Sequence, residues 1–231
     1  MRGLDSNKIF SEIASASRDT TIRIWNVSTG ACLHVLKGHT KYVRTVVYSP
    51  DCKLLASGAD DGVIILWNAK SWQMAQKLKG HEDSVPAVSF DRTGLKLVSG
   101  SRDKSLRVWD LRRGCCVRVL YGHSHFLTAV KFNPDSTQFA SGAWDKSVRI
   151  WDANSLDSTH SCEGHTAKVS SFDFNQNGTL VATSSWDKSV KIWDTKTGFL
   201  QRTFHGHERY VNSVKFNNPK SSLLVSRYAA F

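Results

Sequence analysis

The dipeptide Gly-His occurs at Gly38-His39, Gly80-His81, Gly122-His123, Gly164-His165 and Gly206-His207, each copy 42 residues after the last. Tryptophan keeps the same step at Trp25, Trp67, Trp109, Trp151 and Trp193, and so does the aspartate six residues before each: Asp19, Asp61, Asp103, Asp145 and Asp187. Three residue types locked to one period define a repeat protein, and a repeat constrains the fold more tightly than composition does. Within each period apolar residues alternate at spacing two, the pattern of strands rather than helices. A first strand carries Val43, Val46 and Tyr48, echoed by Val85, Val88 and Phe90 and by later copies. A turn such as Ser49-Pro50-Asp51 or Asn177-Gly178 follows, built from residues that fix φ, accept positive φ or bond their own backbone. A second strand runs through Leu54–Ser57, a third ends at the tryptophan as in Val148–Trp151, and a fourth precedes the next Gly-His as in Cys116–Leu120. A four-stranded sheet of this size cannot bury both faces alone. Copies must therefore stack, and stacking around an axis gives an all-β propeller.

Gly-His followed by a closing Trp-Asp, complete at Trp109-Asp110, Trp151-Asp152 and Trp193-Asp194 and varied at Trp25-Asn26 and Trp67-Asn68, resembles the WD40 repeat family. The resemblance covers residues 9–226 of the 231 and divides one domain into repeats at 38–79, 80–121, 122–163 and 164–205, with partial repeats at 9–37 and 206–226. The first partial repeat has strands two to four but no preceding Gly-His. The last has its Gly-His, its first strand and a second in Leu223–Ser226, and stops there. Two arrangements fit: the final first strand (Val211 to Phe216) pairs with the N-terminal trio and closes a five-bladed ring, or the chain is a truncated piece of a larger propeller. The second is expected, because the final repeat ends in mid-blade.

Each full repeat holds a histidine, a hydroxyl, an aspartate and a tryptophan: His39/Ser57/Asp61/Trp67, His81/Ser99/Asp103/Trp109, His123/Ser141/Asp145/Trp151 and His165/Thr183/Asp187/Trp193. The first three are the ingredients of a hydrolase triad. Catalysis needs one singular constellation with an activated nucleophile and an oxyanion hole, whereas four copies at one spacing point to architecture. The resemblance implies a hydrogen-bonded chain from indole N–H through hydroxyl and imidazole to carboxylate. No catalytic residue, cofactor or metal is expected, since the Gly-His histidines fall one to a blade, too far apart to share an ion.

In WD40 proteins partners commonly dock where the first strand begins and the second turns into the third. Carried over by position, the residues three and five after each repeat histidine are Tyr42 and Arg44, Ser84 and Pro86, Phe126 and Thr128, Lys168 and Ser170, and Tyr210 and Asn212. Those just before each repeat aspartate are Arg18, Asp60, Arg102, Trp144 and Trp186. Aromatic and Arg side chains dominate binding hot spots. Tyr42, Arg44, Arg102, Phe126, Trp144, Lys168, Trp186 and Tyr210 are therefore the protein-binding candidates. Trp72, another tryptophan outside the repeated series, is expected to open a fourth strand and pack at the outer rim.

Lys and Arg total 31 against 20 Asp and Glu, a formal charge of +11. That invites a nucleic-acid reading. Much of it repeats, however: Lys104, Lys146 and Lys188 share one position, and Arg23, Arg107, Arg149 and Lys191 another. No nucleic-acid-reading motif is present. The expected partners are proteins or peptide segments, with a basic propeller engaging nucleic acid or a ribonucleoprotein as the alternative. Five cysteines without a C-x-x-C pair suit a reducing compartment. Asp5, Lys8 and Glu12 stand where a signal peptide would be apolar, and no stretch is long and apolar enough to span a membrane. The expected setting is the cytoplasm or nucleus, without secretion or membrane insertion.

Overall fold

A computed structural model describes residues 11–217 and, as backbone, 224–228. Strands β1 (Glu12–Ala16), β2 (Thr21–Asn26) and β3 (Cys32–Lys37) form a three-stranded antiparallel sheet. Four four-stranded antiparallel sheets follow in chain order. The first takes β4 (Val43–Tyr48), β5 (Leu54–Ala59), β6 (Ile64–Asn68) and β7 (Met74–Leu78). The second takes β8 (Ala87–Phe90), β9 (Lys96–Gly100), β10 (Leu106–Asp110) and β11 (Cys115–Leu120). The third takes β12 (Leu127–Phe132), β13 (Gln138–Ala143), β14 (Val148–Asp152) and β15 (Ser158–Cys162). The fourth takes β16 (Val169–Phe174), β17 (Leu180–Ser185), β18 (Val190–Asp194) and β19 (Leu200–Phe204). A final pair, β20 (Val211–Phe216) and β21 (Leu224–Tyr228), completes the described strands. These are the repeated blades of a WD40 β-propeller. β20 bonds to β21, Val211 opposite Tyr228 and Phe216 opposite Leu224, so it does not add to the N-terminal trio. The five-bladed closure that would join β20 to β1 is not the pairing formed.

Alternation puts apolar side chains on both faces of every sheet, and consecutive sheets bury them against each other. Ile22, Ile24 and Leu36 pack on Val43, Leu55, Ile65 and Trp67. Ala56, Ile64, Leu66 and Leu78 pack on Val88, Phe90, Leu97 and Trp109. The same sandwich recurs between Val98, Leu106 and Val108 and the Leu127, Phe132, Phe139 and Trp151 group, and again between Val148 and Ile150 and the Phe172, Val181 and Trp193 group. Val211, Val214 and Phe216 close on Ala182 and Val190. Cys162 lies in one of these layers, fully buried, and burial pushes its thiol up to about 12, so it is inert packing.

The residue after each repeat tryptophan caps the next turn. Oδ1 of Asp110, Asp152 or Asp194 accepts the amides two and three residues on at 2.8–3.0 Å. Oδ1 of Asn26 and Asn68 does the same at 2.9 Å, which is why asparagine can stand in for aspartate there. The register of each outer strand pair shifts just before the tryptophan, from Ile24/Trp25 to Ile192/Trp193. In the four-stranded sheets the glycine of Gly-His lies beneath neighbouring side chains: a Cβ on Gly38 would sit 3.0 Å from Trp67 Cη2 and 2.7 Å from Met74 Cε. One on Gly80 would sit 2.7 Å from the Arg107 guanidinium.

The structure brings the four members of each set into one chain. The indole Nε1 donates to the Ser57, Ser99, Ser141 or Thr183 hydroxyl at 2.8–2.9 Å. That hydroxyl meets the histidine Nε2 at 2.7–2.8 Å. Nδ1 meets the aspartate at 2.7–3.1 Å. Indole is a donor only, so the hydroxyl accepts from it and donates to a neutral imidazole, whose Nδ1–H points at the carboxylate. The aspartate also accepts the amide following the histidine and the amide two residues beyond itself, as Asp145 does from Ser124 at 3.0 Å and Ser147 at 3.1 Å. In the N-terminal sheet Trp25 donates to Ser15 at 2.8 Å while Asp19 accepts the Thr21 amide and hydroxyl.

Asp145→Ala strips the partner from His123 and from two amides, and lowers the unfolding free energy by about 2–4 kcal/mol in urea titration. Trp144→Ala, one residue away but half-exposed, costs about 1 kcal/mol or less in the same titration. Thermal stability also falls with acid in two steps. Burial holds the His39 and His165 imidazoles below their ordinary 6.5 despite the aspartate beside each, so their contribution is present above 6.5 and is lost as pH falls below it through the lowered folded-state pKa. Burial would raise the Asp187 carboxyl, but hydrogen bonds from Ser189 and His165 outweigh it and hold the group at about 2. Its contribution is present above the ordinary 3.8 and is lost as pH falls toward about 2. Scanning fluorimetry across that range reads both steps; a midpoint that does not fall as pH drops below 6.5 would contradict the neutral-imidazole assignment.

Candidate functional site

By tying the loop after each histidine to the turn that carries the aspartate, the hydrogen-bonded chains hold two side-chain positions next to each other at one end of each four-stranded sheet. A backbone bond locks each pair. The Asp60 amide donates to the Tyr42 carbonyl at 2.9 Å, Arg102 to Ser84 at 2.9 Å, Trp144 to Phe126 at 2.9 Å, and Trp186 to Lys168 at 3.1 Å. These are the positions the sequence nominates, three residues after the histidine and one before the aspartate.

Between sheets, each pre-aspartate residue reaches the next sheet's loop residue. Arg18 lies over the Tyr42 ring at 6.0 Å, and Asp60 accepts a hydrogen bond from the Ser84 hydroxyl. Arg102 lies over Phe126 at 5.9 Å. Lys168 Nζ sits 3.8 Å from the Trp144 ring centroid and 3.4 Å from that of Trp186, held between two indoles. Trp186 stacks on Tyr210 at 4.5 Å with an interplanar angle of 5°. Alternating within-sheet and between-sheet contacts thus run as one ladder from Arg18 to Tyr210.

The two halves of the ladder differ electrostatically. Arg44 grips Asp60 through Nε at 2.7 Å and Nη2 at 2.5 Å. That bidentate pair raises the arginine pKa and lowers the aspartate's, chiefly through these hydrogen bonds, and so commits the guanidinium. Lys168 is opposite in character: burial lowers its ammonium pKa first, and the charge of Arg102 lowers it further. Among the described residues neither Lys168 nor Arg102 is within ion-pair distance of a carboxylate. Arg102, Phe126, Trp144, Lys168, Trp186 and Tyr210 therefore form one partly exposed aromatic and cationic run, whereas Tyr42 and Arg44 sit beyond the neutralised Asp60.

The residues five after the histidine turn sideways. The inner strand pairs slip register there, between Leu127 and Ala129 and between Val169 and Ser171. The slip aims Thr128 at the Val169 carbonyl, 2.7 Å away on the next sheet, and Ser170 at the Val211 carbonyl, 2.5 Å away. They staple sheets together.

His125, outside the positions nominated from the sequence, stacks on Trp144 at 5.5 Å and meets Phe126 edge-on at 4.6 Å. Its place directly before the Phe126 slot was the available signal. Trp72 does not open a strand: it occupies the turn before β7 with φ of +57° and packs against His34 and Tyr48 near the outer rim. Among the described residues no cluster of three or more His, Cys, Asp or Glu could hold a metal ion, and no helix is long and apolar enough to cross a membrane.

Comparison with known proteins assigns this geometry to a family. A stretch of 43 residues, one repeat long, is 56% identical to nuclear distribution protein PAC1 of Coccidioides posadasii (strain C735), covering 19% of this chain and 9% of that protein. The same protein of Arthroderma benhamiae is 54% identical over 43 residues, again 19% of this chain and 9% of the relative. That of Fusarium vanettenii is 54% identical over 39 residues, 17% of this chain and 9% of the relative. The matched stretch thus spans about a tenth of the length of these relatives. The family described as WD domain, G-beta repeat matches residues 4–26, 30–68, 72–110, 114–152, 156–194 and 198–227. Its four longest matches end on the Trp-Asp or Trp-Asn pair, so each unit joins the outer strand of one sheet to three strands of the next. With six matched units along nearly its whole length, the chain belongs to the WD40 repeat family.

Proposed function

We propose that this chain is a non-catalytic scaffold of the cytoplasm or nucleus that binds a peptide segment of a partner protein on the ladder-bearing face. WD40 repeats serve as protein-interaction scaffolds, and the finer assignment rests on one observation: the unbroken run from Arg102 to Tyr210. Trp144, Trp186 and Tyr210 keep 37–44% of their surface exposed although each is fixed by a stacked ring or a cation. Large amphipathic side chains already held in place lose little freedom when a partner covers them, so more of the buried area is retained as affinity. The histidine–hydroxyl–aspartate sets support a scaffold rather than a hydrolase, since each hydroxyl is buried and accepts from an indole, away from any substrate. The intracellular setting is supported by five cysteines that form no disulfide, Cys115 and Cys116 among them.

The test is affinity purification with the intact chain and with a Trp144→Ala/Trp186→Ala double variant whose thermal melt is unchanged. Partners recovered by the wild type are expected to fall by about tenfold or more with the variant, in keeping with loss of two aromatic hot spots. Equal recovery of every partner would remove the ladder from the binding reaction.

A further inference from the structure

We propose that the segment bound on this face is an acidic peptide, whose carboxylates meet Lys168 and Arg102 while its apolar side chains cover Trp144, Trp186 and Tyr210. The inference rests on the interaction-face reading and adds the chemistry of the partner. It starts from how the ladder's cations are compensated. Arg44 has both oxygens of Asp60, and Asp60 takes the Ser84 hydroxyl as well, so that carboxylate is used up. Asp83, in the adjoining loop, accepts its neighbour's amide at 2.6 Å. Lys168 and Arg102 rest on aromatic faces; Arg102 acts on Asp60 through its charge, but among the described residues neither cation has a carboxylate within ion-pair distance.

Lys168 is partly desolvated, and Arg102 is the charge that adds to that penalty. Two cations that disfavour one another on a partly dry surface are both relieved by one anion placed between or beside them, and the relief is larger where water is thin. A carboxylate suits the pair: the Arg102 guanidinium can meet it with two parallel N–H bonds, and the ammonium supplies rotatable donors to a second acid group or to the same one. The indoles hold Lys168 by their negative faces and leave its N–H groups without a protein acceptor among the described residues, so an incoming carboxylate gains hydrogen bonds without displacing a native one. A basic peptide would face the opposite situation: it would have to expel Lys168 from between the indoles and approach Arg102 as a like charge. The surface thus discriminates by repulsion as well as by attraction.

The experiment pans a random dodecapeptide display library on the full chain and measures recovered peptides by fluorescence anisotropy. The expected result is enrichment in Asp and Glu interspersed with aromatic or aliphatic residues, and affinity that falls by about tenfold or more with Lys168→Glu and with Arg102→Glu. Lys168→Arg retains most of it, and binding weakens as salt rises from about 0.05 to 0.3 M. Acidic peptides unaffected by either charge reversal would overturn the proposal. So would neutral or basic peptides that are nevertheless lost in the Trp144→Ala/Trp186→Ala variant, an outcome that keeps the interaction face and discards its acidic partner. Binding that requires a phosphorylated serine and is absent from the Glu counterpart would overturn the carboxylate assignment. Peptides indifferent to both tryptophans would fail the interaction-face reading itself.

Discussion

An indole N–H buried between sheets is costly to leave alone, by about 1–3 kcal/mol for each unpaired donor. In this chain the large apolar body of each repeat tryptophan fills the space between neighbouring sheets, so its donor goes in with it. The hydroxyl on the adjacent strand can accept that donor only if its own proton has somewhere to go. The imidazole takes it, and the imidazole's other nitrogen then needs an acceptor. The aspartate ends the sequence of obligations by meeting the imidazole and two backbone amides, one from the loop after the histidine and one from its own turn. Packing in the core therefore dictates loop geometry at the sheet end: the same carboxylate that completes the indole's hydrogen-bond chain fixes where Trp144 and Trp186 stand, one residue before it. The ladder is a consequence of how the core is satisfied.

The period, the strands and the membership of the four-residue sets could be read from the sequence because each is set by local spacing that recurs every 42 residues. What lies between sheets could not. Thr128 and Arg44 occupy equivalent positions, yet one bonds the next sheet's backbone and the other turns to a carboxylate in its own sheet. Which way such a side chain points depends on a register slip and on what the neighbouring repeat offers, and neither is coded by the residue itself. His125 was missed for the same reason: a histidine has no fixed meaning until a tryptophan 19 residues away supplies a face to stack on. Trp72 shows the limit of period-two reading at an element's end. A residue that continues the alternation on paper takes a left-handed turn conformation instead, and its ring lands on Tyr48 and His34. The pairing of β20 with the next strand, β21, is by contrast local, and the second strand read at Leu223–Ser226 anticipated it.

Charge shows why position outweighs total. Residues 89, 131, 173 and 215 are repeat equivalents, and there Ser89, Lys131, Asp173 and Lys215 stand on successive inner strands. Asp173 is buried, pairs with Lys131, lies 3.8 Å from Lys215 and accepts the Phe216 amide at 3.0 Å. Part of the excess of cations thus lies on the inner strands, where Asp173 joins one sheet to the next and offsets one of two lysine charges. Arg44 is consumed in the same way by Asp60. Lys168 and Arg102 carry the same formal charge but rest on aromatic faces, which attract a cation without neutralising it. A quadrupole leaves the field of the ammonium largely intact toward solvent, whereas a carboxylate cancels it within a few ångströms. The net +11 therefore overstates the surface as a polyanion binder and understates this one spot, where two cations without an ion-pair partner among the described residues are surrounded by surface a peptide can cover.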